Sequence, residues 1–347
     1  MNAVRILLAL VLAVMPGCSS GDNVTDNVKL DVTIEVPVLF PDFPLATPTE
    51  KGLSAVVATQ VTPALRIASF TISSELCSNS SGPDCRELPL GDDYLVTDAP
   101  ARGYLYSCNA PNPSAPGARE RKITWINYSD KTWNFLEKLW LPAGTFNPGI
   151  GAYSENVVGI ERRIDVNNLP LDEKIGDWPM TQYPMLTEID GNLGVPFAKD
   201  SSFSYIADPS VAHFPTCVSL GTIGVTKNGV VLYNAADGRG EDALAREILD
   251  VFGGHPAINH YHYHYIPVRL DSETLDGGHS GIVGYISDGF PIYGYRGDGG
   301  REMSNEELDE CHGHDHGSLG YHYHATIEYP YTVGCYKGAS VEKLFVR

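Results

Sequence analysis

The chain has 347 residues with 24 Lys+Arg against 43 Asp+Glu, a formal net charge of -19. That balance argues against a nucleic-acid partner, which would need a basic stripe to displace counterions from phosphates. Hydrophobic residues at 43 % and charged residues at 19 % supply a core and argue against general disorder. The 35 Gly, 24 Pro and 19 Tyr leave few helix-forming runs, so the expected class is mainly β with a few short helices, a β-rich α+β protein of antiparallel sheets.

Arg5 precedes an apolar run from Ile6 to Met15, followed by Pro16-Gly17-Cys18. The run is too short for a membrane-spanning helix but suits a secretory signal peptide over residues 1–17. The small residues before Cys18 resemble a bacterial lipoprotein signal, so Cys18 is the expected lipidation site and the lipid bilayer the expected partner. The expected location is the bacterial cell envelope, at the outer membrane and outside the cytoplasm. Residues 18–29 read as a polar tether. The alternation in Leu30 to Leu39 and the β-branched content of Ala55 to Thr71 predict a small β region over 30–100, with the main domain over 101–347.

Pro111, Pro113, Pro116 and Gly117 mark a loop, and Lys122 to Tyr128 reads as strand. Trp125, Trp133 and Trp140 are expected as core anchors. Between β-branched runs, Asn228-Gly229 predicts a hairpin over Ile223 to Tyr233. Glu241 to Val251 places Leu244, Ile248 and Val251 on one face before Gly253, the strongest helix signal in the chain. Ser304 and Glu307 fit a capping box that opens a second short helix.

Apart from Cys18 there are six cysteines, Cys77, Cys85, Cys108, Cys217, Cys311 and Cys335. An even number in an exported chain reads as up to three disulfides. Proximity favours Cys77 with Cys85 and Cys311 with Cys335, which leaves Cys108 with Cys217; other connectivities stay open. Thiolate metal ligation lacks any CxxC spacing.

Ten of the 11 histidines lie between His255 and His324. Tyr261-His262-Tyr263-His264 recurs as Tyr321-His322-Tyr323-His324, and each copy follows a Gly-His pair, Gly254-His255 and Gly313-His314. Phe290 to Gly297 is echoed by Tyr329 to Gly338, which reads as a repeat whose first copy carries an insertion holding His279. Strand side chains alternate between faces, so His262 and His264 share one face and Tyr261 and Tyr263 the other. With i and i+2 roughly 6.6 Å apart and neighbouring strands roughly 4.8 Å apart, two adjacent YHYH strands would close four imidazoles around one transition-metal ion, Cu or Zn. His255 and His314 are further candidate ligands. The competing reading is a packed Tyr-His ladder without metal.

His260, His312 and His316 carry weaker signals, and His213 reads as structural. Asp288 reads first as a turn residue and second as a hydrogen-bond partner of a ligating histidine. Asp298, Glu302, Glu306, Glu307, Asp309 and Glu310 form an acidic run without calcium-site spacing, expected as solvated surface. No G-x-S-x-G, H-E-x-x-H or P-loop is present.

These residues resemble the YHYH domain family. The likeness rests on Asn228-Gly229, Asn234 to Asp237, Gly254-His255-Pro256, Tyr261 to His264, Asp288 to Gly294, Leu308 to Cys311 and Tyr321 to Ala325 in that order, extends upstream through Arg163 to Pro170 and Gly103 to Cys108, and covers about two thirds of the chain. The resemblance implies export and no particular activity. It also implies a cysteine before Gly253-Gly254-His255, where this chain has Phe252 and so lacks the disulfide expected there. Two functional classes follow: an envelope lipoprotein that binds Cu or Zn, and a copper or iron oxidoreductase using the same site. A surface structural or adhesion module is the third reading.

Overall fold

The computed structural model describes residue 77 and residues 82–115 and 123–341, all within the compact unit Val57–Arg347. The signal peptide, Cys18, the tether and the strands expected within 30–39 and 55–71 lie outside the described residues.

Among the described residues the fold is mostly β, with two short helices, Pro184–Ile189 and Ala243–Arg246, and several 3-10 turns. Its centre is an eight-stranded sheet of β1 (Thr222–Thr226), β2 (Val231–Tyr233), β3 (Gly254–Ala257), β4 (His260–Tyr263), β5 (Ile282–Ile286), β6 (Pro291–Tyr293), β7 (Gly313–Asp315) and β8 (Tyr321–His324). The strand order is β3-β4-β2-β1-β5-β6-β8-β7. β1 and β2 form the hairpin expected at Asn228-Gly229, where Gly229 has φ +86° and its N–H meets the Thr226 carbonyl at 2.9 Å.

The order is a palindrome, because β1–β4 and β5–β8 are two copies of one motif sixty positions apart (His262 and His322, His264 and His324). The copies meet where β1 and β5 run antiparallel, Val225 facing Tyr285, and these two residues are equivalent, so a local two-fold passes between them. This corrects the repeat read from sequence. Phe290-Pro291-Ile292 matches Val230-Val231-Leu232 inside the second copy, and His279 lies in the connection between copies rather than in an insertion. It also corrects the expectation of adjacent YHYH strands. β4 pairs with β3 and, in parallel, with β2; β8 pairs with β7 and, in parallel, with β6. Five inter-strand steps separate β4 from β8, about 24 Å at the usual strand spacing.

The two faces of the sheet divide by residue type. Tyr261, Tyr263, Tyr321 and Tyr323 enter the main core with Leu232, Ile286 and Ile292. On the other face Val225, Val231 and Tyr285 meet Ile164, Val166, Phe203 and Tyr205, which belong to a three-stranded meander of Tyr153–Val158, Glu161–Val166 and Ser201–Ile206. A register slip by one residue would turn the tyrosines out of the core, so this burial fixes which face the histidines occupy.

Trp125, Trp133 and Trp140 are buried in the core as expected. The disulfides Cys77–Cys85 and Cys311–Cys335 join the pairs that proximity favours and Cys108–Cys217 the pair they leave, with Cα–Cα distances of 5.4, 4.4 and 4.9 Å. Of the strand expected over 122–128, Ile126–Asn127 forms. Leu95–Val96 pairs with Leu105–Tyr106 across the boundary expected at residue 100.

The helix expected over Glu241–Val251 shrinks to one turn, Ala243–Arg246, capped by Asp242 Oδ1 on the Ala245 N–H at 3.0 Å. Its apolar periodicity is real, but tertiary partners take the next backbone groups. The Glu247 carbonyl accepts from Lys138 Nζ at 2.6 Å, Ile248 N–H donates to Asp190 Oδ2 at 2.9 Å, and the Leu249 carbonyl accepts from Leu141 N–H at 2.9 Å. At the other candidate cap, the Glu307 carboxylate accepts the Ser304 N–H at 3.0 Å, opening only a 3-10 turn, Asn305–Glu307. Among the described residues no helix is long and apolar enough to cross a membrane.

Candidate metal centres

In each copy the first ligand position follows a glycine for a steric reason. A Cβ at Gly254 would meet Tyr261 Cζ at 2.4 Å, and one at Gly313 would meet Tyr321 Oη at 2.5 Å. Glycine therefore lets the outer strand lie against the tyrosine ring, which sets His255 opposite His262 and His314 opposite His322. The neighbouring aspartates fix the same turns. Asp250 Oδ2 accepts from Tyr261 Oη at 2.7 Å, Gly176 N–H at 2.7 Å and Trp178 Nε1 at 3.1 Å, while Asp250 Oδ1 takes the Phe252 and Gly254 N–H groups at 2.9 and 3.2 Å. Asp309 does likewise for Tyr321, Cys311 and Gly313. Phe252 is thus the counterpart of Cys311, and the Asp250 network holds the first turn without a disulfide.

The first centre brings His255, His262 and His264 together; the second brings His279, His314, His322 and His324 together, the ligand atoms of each group lying within 4.8 Å of one another. The six sequence-predicted histidines therefore divide into two triads instead of surrounding one ion, and His279 joins the second. In the first centre His264 Nε2 lies 3.0 Å from His262 Nε2 and 3.2 Å from His255 Nε2. In the second, His322 Nε2 lies 3.1 Å from His314 Nε2 and 3.2 Å from His324 Nε2, which is 3.2 Å from His279 Nε2. A tetrahedral ion with bonds of about 2.0–2.1 Å has N···N edges of roughly 3.3–3.4 Å, close to these separations.

The opposite ring nitrogens explain why the Nε2 atoms converge. His262 Nδ1 meets the His260 carbonyl at 3.0 Å and His264 Nδ1 the Asn234 carbonyl at 2.5 Å. The second copy reproduces both contacts, His322 on the Gly320 carbonyl at 2.9 Å and His324 on the Gly294 carbonyl at 2.7 Å, and His279 Nδ1 meets the Ser280 carbonyl at 2.7 Å. A carbonyl only accepts, so these Nδ1 atoms carry the protons and each neutral ring turns an Nε2 lone pair into the centre. Burial, the largest cause, pushes His255, His262 and His324 well below the usual histidine range, His264 down to about 4 and His322 down to about 3. These five rings are therefore neutral near pH 7, and His262, His264, His322 and His324, whose Nδ1 atoms are held by carbonyls, face one another in pairs through Nε2 lone pairs.

Tyr233 stacks on His262 with ring centroids 3.9 Å apart, and Tyr293 lies 4.4 Å from His322. The other histidines take different roles. His260 Nδ1 meets Tyr233 Oη at 3.0 Å, and His312 Nε2 meets the Thr326 hydroxyl at 3.0 Å. His316 pairs with Asp298 at 2.9 Å and stacks on His279. His213 is exposed, its ring against Phe214.

Asp288 stands in a turn, as its first reading has it, but does not bond a ligating histidine, which corrects the second. Its carboxylate takes Tyr323 Oη at 2.6 Å and the Gly338 N–H at 2.9 Å, on the tyrosine face, away from the ligating imidazoles. The acidic run is likewise not all surface, since Glu302 is buried. One ligand candidate and one neighbour of the centres escaped sequence reasoning. His279 left only its place in the histidine-rich window as a signal. Glu247, whose Oε2 lies 3.4 Å from His255 Nε2, left none.

Comparison with curated proteins and with solved structures finds no match. The family model described as YHYH protein matches residues 202–300, a shorter stretch than the resemblance in sequence and one that ends before His314. With the first centre, the connection bearing His279 and the opening hairpin of the second copy inside that match, the chain carries a YHYH domain.

Proposed function

We propose that the protein is an envelope-anchored lipoprotein that binds two transition-metal ions, Cu or Zn, one in each copy of the repeat. One observation carries the reading: in each copy the two imidazoles of the YHYH strand, oriented by Nδ1 bonds to carbonyls, turn their Nε2 lone pairs toward each other beside a third histidine. Buried acceptors that face one another are costly unless a donor or a cation stands between them, and a cation held by these nitrogens turns that cost into ligation. Export is supported by the apolar run ending at Cys18 and by three disulfides, which suit an oxidising compartment. Divalent affinities follow the order that places Cu above Zn, so Cu(II) is the tighter binder in the test tube, while supply decides the physiological metal.

Elemental analysis of the chain, expressed with its own leader and purified without a His-tag or metal column, tests the reading. Close to two equivalents of Cu or Zn per chain are expected. Protein that stays free of metal after incubation with either ion contradicts it.

A metalloenzyme, a copper or iron oxidoreductase, is favoured by one further feature. A cavity of about 460 Å³ reaches His314, the least buried ligand of the second centre, beside Arg102, Asp309, Tyr321 and Lys337. His314 is the only ligand of that centre on the lining, so a small molecule held there would act on the metal through the edge strand β7.

A further inference from the structure

The two centres occupy equivalent places in the repeat, yet their donors differ. At the second, His279 enters from the connection before β5 to complete four imidazoles. Sixty positions earlier the chain has Ser219, whose carbonyl accepts the Asn234 side-chain amide at 3.0 Å, so the first centre has no fourth imidazole from that direction. A carboxylate stands there instead. Glu247 Oε2 lies 3.4 Å from His255 Nε2 and 3.6 Å from His264 Nε2, on a side chain that is 14 % exposed. The oxygen itself is buried and receives no hydrogen bond.

The fold aims that oxygen. Glu247 is where the helical turn Ala243–Arg246 stops and the backbone becomes extended, and its carbonyl is held by Lys138 Nζ at 2.6 Å. Lys138 Nζ thus bonds the main chain, while its charge, weakened by burial that pushes the amine down to about 7, acts on the Glu247 carboxylate without a hydrogen bond to it. In the matching turn of the second copy Glu307 is used differently: it accepts the Ser304 N–H at 3.0 Å and pairs with Arg301. Among the described residues the second centre therefore has no carboxylate of this kind.

We infer that Glu247 is the fourth ligand of the first centre, so that the chain holds one centre of three histidines and a glutamate and another of four histidines. The inference rests on the metal-binding reading proposed above. An anionic oxygen lowers the net charge of a bound divalent ion and moves preference toward harder ions such as Zn(II) or Fe(II), whereas four imidazoles favour Cu(II). Two metals could then be sorted within one chain.

The test uses the full chain carrying H322A and H324A, which leaves the first centre alone, titrated calorimetrically with Zn(II). This background is expected to bind one ion, and adding Glu247→Gln is expected to weaken it more than about 100-fold, beyond the usual effect of losing a residue that only orients a ligand. Unchanged Zn(II) affinity in Glu247→Gln overturns the assignment while leaving the metal reading intact; absence of Zn(II) binding in the wild-type chain overturns the metal reading itself. Infrared difference spectra of the unmutated chain on Zn(II) addition keep the assignment testable should Glu247→Gln fail to fold. A shifted carboxylate stretch is expected, and a spectrum with imidazole changes alone contradicts it.

Discussion

Each tyrosine between two ligating histidines anchors the strand from the opposite face. Tyr323 Oη donates to Asp288 Oδ2 at 2.6 Å, and Asp288, which burial pushes up to about 6, also takes the Lys337 and Gly338 N–H groups at 3.1 and 2.9 Å. Tyr323→Phe leaves the buried carboxylate short of one donor, so a loss of about 1.5–3 kcal/mol in urea unfolding is expected, with metal stoichiometry unchanged. Unaltered stability would contradict the anchoring role. Glu302 offers a separate pH test. Burial raises its carboxyl to about 8 from an ordinary 4.5, with Glu328 adding to the shift, and among the described residues neither oxygen has a hydrogen-bond partner. The folded chain thus holds this proton where the unfolded chain has lost it, and stability declines as pH rises from about 4.5 through about 8. Glu302→Gln should remove that decline: the variant is more stable than the wild type at pH 9, and the gap closes at pH 4. A gap that does not change with pH in paired thermal melts would contradict the sign. At this scale the histidine pairs were legible, because a period of two assigns faces without knowledge of the fold. His279 and Glu247 were not, since each reaches its centre from a segment whose position depends on long-range packing.

Local patterns were read correctly where the interaction that satisfies them is local, and incorrectly where it is not. The Asn228-Gly229 hairpin closes on itself through the Thr226 carbonyl, so its signal survives folding. The apolar face of Glu241–Val251 does not settle its backbone, because Lys138, Asp190 and Leu141 capture the groups a longer helix would have used. The likeness between Phe290-Pro291 and Tyr329-Pro330 misled the repeat register for a related reason: two short aromatic-proline turns look alike although only one belongs to the repeat. The two copies also secure their entry turns differently. Cys311–Cys335 ties the turn before β7, while Asp250 ties the one before β3. Replacing both cysteines of that bridge with serine should cost about 3 kcal/mol in the chain-entropy description and weaken metal at the second centre more than at the first. Equal weakening at both centres, read by titration of each isolated centre, would contradict this division.

The palindromic sheet places the two centres toward opposite ends, with the Val225 and Tyr285 pair and the meander between them. A separation of about 24 Å in strand spacings exceeds the reach of any shared ligand, so the centres should fill independently. Sequence displayed the duplication but not its arrangement, since identical strands are compatible with adjacent pairing or with a two-fold that holds them apart. The choice was made by β1 and β5, whose pairing no motif announces. The central claim, one ion in each copy, is tested most directly by calorimetric titration of the apo chain with Zn(II) alongside two double variants, H262A with H264A and H322A with H324A. The account predicts two ions for the wild type, one for either double variant, with the surviving centre retaining its wild-type affinity. A single equivalent in the wild type, abolished by either double variant, would mean a shared site and contradict it.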